Sequence, residues 1–164
     1  MEEKEVLDSL RAACPDAVLE SGFSLGDPFA VIRPQALPAA AACLRDGPAR
    51  LAMLLDLTCV DRPDEPERFE MIYHFLSLET NVRLRIKARL PAADPAIASL
   101  TGLWKNAAWL EREVFDLFGV RFTGHPDLRR LLLYDGFEGH PLRKDYPLRR
   151  RQPLLPERKD GPRT

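Results

Sequence analysis

Long apolar runs are missing from this chain: no stretch approaches the roughly 20 residues needed to cross a bilayer. Its opening, MEEKEVLDSLRAAC, is acidic and lacks the apolar segment of a secretory leader. Cysteine is scarce. Cys14, Cys43 and Cys59 form no Cys-x-x-Cys pair, so neither an iron–sulfur cluster nor a structural zinc finds its usual ligand set. Three buried, reduced thiols in a cytosolic compartment is the plain reading. Glycine-rich phosphate loops are also absent, so no nucleotide is implied. No serine or cysteine stands beside a histidine, which leaves no nucleophile and base paired in sequence.

What is present suits one domain, since 164 residues with 45% hydrophobic content can bury a core without staples. The formal charge of −1 hides an asymmetry. Residues 1–120 carry 13 Lys and Arg against 19 Asp and Glu, while residues 121–164 carry 11 against 6. An acidic body is followed by a basic arm.

Val6, Leu7, Leu10 and Ala13 predict a short amphipathic helix that Pro15 ends and that packs on a sheet. Ala17–Glu20 and Phe29–Arg33 read as short strands around a turn from Ser21 to Pro28, and Leu37–Leu44 reads as an alanine-rich helix closed by Asp46-Gly47-Pro48. Leu51–Val60 is apolar enough for a buried strand. Phe69–Leu78 and Val82–Leu90 predict a hairpin across Glu79-Thr80-Asn81, and the second strand alternates apolar and cationic residues without a slip. A short helix is expected over Ile97–Leu103. A longer one spans 107–118, capped by Asn106 and ended by Gly119, with Leu110, Val114, Leu117 and Phe118 on its apolar face. The class is α+β: a mostly antiparallel sheet with helices on one face, followed by a long extended C-terminal arm. The expected division is a body, 1–118, and an arm, 119–164.

The arm is too long for a structureless loop, which becomes suspicious beyond roughly 12–15 residues. Six of the fifteen prolines lie in it. Disorder suits Arg149–Thr164 but not the part before, where Phe122, Leu128, Leu131–Leu133, Tyr134, Phe137 and Tyr146 supply too much apolar surface to leave in water. This segment must lie over its own body, another protein, or both. Two parallel phrases stand out, Gly124-His125-Pro126-Asp127-Leu128-Arg129-Arg130 and Gly139-His140-Pro141-Leu142-Arg143-Lys144-Asp145. Pro126 and Pro141 fix bends at which both imidazoles are held in extended backbone.

His125, Asp127 and His140 could ligate a metal, with Glu111, Glu113 and Asp116 as acid–base carboxylates; that small metal-dependent enzyme is the alternative of a different class. Against it, the histidines lack the i, i+4 spacing of a zinc motif, and Arg129, Arg130, Arg143 and Lys144 would repel a divalent cation. Arg112 stands at i, i+4 to Asp116, so intrahelical pairing and solvated charge explain the helix carboxylates. The run Arg149-Arg150-Arg151 has no interleaved aromatic platforms, so nucleic acid is not expected.

Glu111-Arg112-Glu113 with Asp116, then Gly119, Phe122, Gly124-His125-Pro126 and Leu128-Arg129-Arg130, and finally Gly136 to Leu148 (GFEGHPLRKDYPL) together resemble the signature of one subunit family of NADH:quinone oxidoreductase, respiratory complex I. In bacteria it is the C subunit, and its mitochondrial counterpart is the thirty-kilodalton subunit. Phe115 stands where many members carry Trp or Tyr. The resemblance implies a scaffold with no flavin, iron–sulfur cluster, metal or catalytic residue of its own. It implies packing in the hydrophilic arm against the larger quinone-site subunit, lettered D in bacteria, which with a smaller neighbour lettered B frames the quinone pocket. It also implies a peripheral place on the cytoplasmic face of the inner (plasma) membrane, without a transmembrane segment. Quinone would be met only through the assembly, and the oxidoreductase activity would belong to the complex. Related subunits of energy-converting hydrogenases are the nearer alternative. The interface expected from the motif residues draws Glu111, Arg112, Glu113 and Asp116 from the helix and His125, Pro126, Arg129 and Arg130 from the first phrase. Gly139, His140, Pro141, Arg143, Lys144, Asp145 and Tyr146 complete it, with Arg143 expected to grip a partner's carboxylate bidentately.

Overall fold

The computed structural model describes residues 3–149 and 151–152. Helix α1, Glu3–Ala13, buries Val6, Leu7 and Leu10, three of the four residues its spacing placed on one face; Ala13, its last residue, is exposed. Strands β1, Val18–Ser24, and β2, Asp27–Ile32, form a hairpin, and α2, Leu37–Asp46, follows. Strands β3, Met53–Asp61, β4, Phe69–Leu76, and β5, Arg83–Leu90, complete a sheet of order β1-β2-β5-β4-β3. All its pairings are antiparallel except β2 with β5.

Register explains which face is covered. Phe69 opposes Leu90, Tyr73 opposes Ile86 and Phe75 opposes Leu84, so these residues share one face, and they join the α1 and α2 side chains in one core. The other face carries Arg83, Arg85, Lys87 and Arg89 from β5, as the alternation required. No helix among the described residues is long and apolar enough to cross a membrane.

Several local expectations change. The first hairpin turns within Leu25-Gly26, both at positive φ (54° and 91°), where a tight turn of primed type keeps the strand twist; the strands therefore run to Ser24 and from Asp27. The strand expected as buried over Leu51–Val60 is β3, Met53–Asp61, at the sheet edge with alternating burial. Ile97–Leu103 is not a helix: Ala96–Ala98 is β6, paired in parallel with β7, Arg121–Thr123, which buries Ile97 against the core with Phe122. The division at 118/119 thus falls inside packed structure, because Val120 and Phe122 are core residues. Of the thiols, Cys59 is buried, but Cys14 and Cys43 are only half-buried. The disorder expected of Arg149–Thr164 falls mostly outside the described residues.

Helix α3 is Ala107–Phe118, the expected span. Asn106 does not cap it. Asn106 itself already has helical backbone angles, and its side chain instead donates from Nδ2 to the Leu54 carbonyl, as Trp104 donates from Nε1 to Ala52. These bonds tie the lead-in to β3 and to the residue just before it.

Candidate functional site

Helix α3 is covered on one side by the core and on another by the arm, and that second contact buries charge. Asp116, read from sequence as a solvated partner of Arg112, has a fully buried side chain. Its Oδ2 accepts the backbone N–H groups of Leu131, Leu132 and Leu133 at 3.0, 2.8 and 2.8 Å, and its Oδ1 accepts Nη1 of Arg130 at 2.7 Å. Burial alone would raise this carboxyl; the N–H of Leu133, the Arg130 guanidinium and the other two N–H groups outweigh it and hold the carboxyl below its usual range. Arg112, freed from the expected pairing, donates to the carbonyls of Arg129 and Arg130 and stacks on the Trp109 ring. Two side chains one turn apart therefore fasten five consecutive arm residues.

Glu111 is also fully buried, and it is not a surface acid. It accepts from Ser99 Oγ and from the Leu100 N–H, both at 2.6 Å. Here desolvation prevails over those two bonds and the carboxyl is raised. Glu113 alone of the helix carboxylates faces solvent.

Both histidines hold backbone. A carbonyl can only accept, so His125 donates from Nε2 to Ala108 O while its Nδ1 accepts the Asp127 N–H, and His140 donates from Nδ1 to Asp116 O. The two rings thus lie at opposite ends of α3, and the three residues of the metal reading do not converge. Asp127 pairs with Arg129 on the surface.

The second phrase is laid over the helix end. Gly119, at φ 75°, ends α3 in the left-handed region as expected, and a Cβ there would meet His140 Nε2 and Arg143 Nη2. Arg143 does not reach outward: its Nε donates to Phe118 O, and its guanidinium lies over the Phe69 ring at 5.0 Å. Gly139, at φ 92°, leaves room for the Tyr146 ring, which stacks with Phe137, itself edge-to-face with Tyr134. Arg130 threads this turn, donating from Nη2 to the carbonyls of Phe137 and Gly139.

A second anchor was not visible in sequence. Asp61, its side chain fully buried at the end of β3, takes a bidentate pair from Arg68 at 2.6 and 2.7 Å and accepts the Lys144 N–H at 2.7 Å. Arg68 also holds Asp145 at 2.9 Å. The Arg68 hydrogen bonds lead in keeping the Asp61 carboxyl low. Among the expected interface residues, Glu113, Pro126, Arg129, Gly139, Lys144 and Asp145 remain exposed, and the others are wholly or partly covered.

His140 makes the clasp sensitive to acid. Burial lowers its pKa most; the hydrogen bond to the Asp116 carbonyl and the Asp116 charge favour the charged ring, but Arg143 and Arg130 nearby oppose it, and the pKa stays lowered. The folded state therefore favours the neutral ring. Its stabilisation is complete above the ordinary histidine value of about 6.5 and is lost as pH falls through the lower folded value. A thermal midpoint that drops over this window in the wild type, and less so in His140→Asn, is the expected result; parallel profiles would remove His140 from the clasp.

The arrangement can fasten a long segment rigidly, and its polar groups are engaged in doing so. Comparisons point the same way. A family model described as respiratory-chain NADH dehydrogenase, 30 Kd subunit, matches residues 30–152. The C subunit of the NADH-quinone oxidoreductase of Roseiflexus sp. (strain RS-1) is 44% identical over 149 residues, covering 90% of this chain and 86% of its own length. Its namesake from Rhodobacter capsulatus is 47% identical over 134 residues, covering 81% and 67%. The solved trypsin-resistant fragment (1-134) of Nqo5 superposes with a TM-score of 0.66 at 32% identity, over 78% of this chain and all of the fragment. A chain of the membrane-bound sulfane sulfur reductase, an archaeal respiratory membrane complex, superposes at 0.76 over 88% of this chain and 85% of its own; at 22% identity it shows the fold alone.

Proposed function

Because the chain belongs to the thirty-kilodalton subunit family of respiratory-chain NADH dehydrogenase, we propose that it is a non-catalytic scaffold of that complex, packing against the larger quinone-site subunit (D) close to the smaller one (B). The observation that carries this reading is the clasp itself. Asp116, Glu111, His125 and His140, the groups that would serve acid–base or metal chemistry, are each bonded to backbone of the chain. A segment so fixed presents a preformed surface, which lowers the ordering cost of association. The chain sits peripherally at the cytoplasmic face of the plasma membrane, meets quinone only through its neighbours, and supports electron transfer from NADH without a cofactor of its own.

The test is purification of the chain alone and of the complex from native membrane. The isolated chain is expected to show no visible-region absorbance and no NADH oxidation, while the membrane preparation yields it together with both quinone-pocket subunits. Bound flavin or cluster absorbance in the isolated chain would refute the scaffold reading. Recovery with hydrogenase subunits in place of an NADH-oxidising flavoprotein would move the chain to the sister assemblies.

A further inference from the structure

Resting on that reading, we propose that Trp109, Glu113 and Leu132 form the ridge by which the chain docks, against a neighbouring subunit whose surface there is apolar and carries a lysine or arginine. Glu111, Arg112, Asp116, Arg130 and Arg143 are engaged within the chain, which leaves the exposed groups beside them to meet a partner. Trp109 is 61% exposed and Leu132 62% exposed, large apolar groups whose burial would be favourable. The Arg112 guanidinium, itself held by the arm's carbonyls, lies 5.2 Å from the Trp109 ring centre and limits the ring's freedom. Asp116 fixes Leu132 by its own N–H and those of both neighbours. Leu131 and Leu133 are half-buried while Leu132 projects.

Position makes these residues one surface. Glu113 lies one helical turn beyond Trp109, and Asp116, which holds Leu132, lies about 10 Å along the axis from Trp109 at 1.5 Å per residue. Rigid aromatic and aliphatic anchors of this kind dominate interfaces once desolvated. Glu113 has no ion-pair partner among the described residues, and it sets the charge of the occupant. A second copy packed ridge to ridge about a two-fold axis would oppose Glu113 to Glu113; a cationic, apolar surface on a different subunit does not meet that repulsion.

The experiment replaces the resident subunit in a host with the full-length chain or its variants, then measures intact complex recovered from membranes and the thermal midpoint of each purified chain. Trp109→Ala and Leu132→Ser are expected to lower recovery about tenfold or more, the effect of losing an interface anchor. Glu113→Lys should lower it more than Glu113→Gln. All four chains should melt with the wild type, since the altered side chains are exposed. If Trp109→Ala melts early, Leu132→Ser and Glu113→Lys decide. Wild-type recovery of the decisive variants would overturn the ridge. A wild-type dimer dissociated by Leu132→Ser would overturn it in favour of self-association. A wild-type chain that enters no NADH-quinone oxidoreductase would instead overturn the functional reading beneath it.

Discussion

Asp116→Ala is expected to destabilise the protein by about 3–5 kcal/mol, the cost of breaking a buried ion pair by removing one partner. The carboxylate is fully buried and serves the Arg130 guanidinium and the N–H groups of Leu131, Leu132 and Leu133. Water can reach some of these donors because the arm is only half-buried there, which argues against a still larger loss. Asp116→Asn keeps the volume and one acceptor oxygen but turns an amide N–H₂ toward donors, so it should recover only part of the stability. Denaturant midpoints measure the loss, and limited trypsinolysis after Arg129 and Arg130 reads whether the arm has lifted. Glu111→Gln is the contrast. Its carboxyl is raised by burial, so the folded state disfavours its charge, and the amide oxygen can still accept from Leu100. That substitution should cost less than about 1.5 kcal/mol, within the range for a typical hydrogen bond. Equal losses at the two positions, or an Asp116→Ala chain with an unchanged midpoint and an uncut arm, would mean that the clasp contributes little.

The same two residues show where sequence and structure part company. Apolar spacing located α3 and the hairpin of β4 and β5 well, because a single buried face leaves a periodic trace and the sheet buries one side of each. Gly119 was recognisable as the helix end because glycine takes the left-handed conformation without strain, and its φ is positive. Glu111 and Asp116 leave no such trace. Periodicity registers apolar contact with a core, whereas the arm meets α3 through carboxylates, guanidinium groups and backbone N–H groups that look, residue by residue, like a solvated face. Arg112 at i, i+4 to Asp116 offered a local pairing, and the structure chose non-local ones with Arg129 and Arg130. Arg143 shows the same preference, taking Phe118 O and the Phe69 ring of its own chain. Asp61 and Arg68 flank the connection between β3 and β4 and are joined to Lys144 and Asp145 only by the fold. The apolar content of the arm did signal that it must lie on something. Which residues would fasten it was not legible, nor was the pairing of β6 with β7, two three-residue strands whose partners are 25 positions apart.

Cutting the chain after Gly119 has the largest expected effect of all, namely loss of cooperative folding. A cut there looks harmless from sequence, where the periodic elements lie upstream and the remainder reads as a binding arm. In the structure it removes Val120 and Phe122, both core residues, whose burial contributes about 1.5–3 kcal/mol each. It leaves β6 without β7, exposing Ile97. It also removes every donor that Asp116 draws from the arm and the Lys144 N–H from Asp61. Stranding the Asp116 charge alone costs about 3–5 kcal/mol if it stays buried. Together these losses rival the whole stability of an ordinary domain, about 5–15 kcal/mol. A cut after Thr123 restores the core residues and β7 but none of the anchors, so it should fold with reduced stability; a cut after Gln152 keeps both anchors and should melt above the other two. Thermal melts of the three fragments by circular dichroism order them. A cooperative transition for residues 1–119 near that of the full chain would show that the arm rests on an independently stable body, and that the buried carboxylates release their partners into water at little cost.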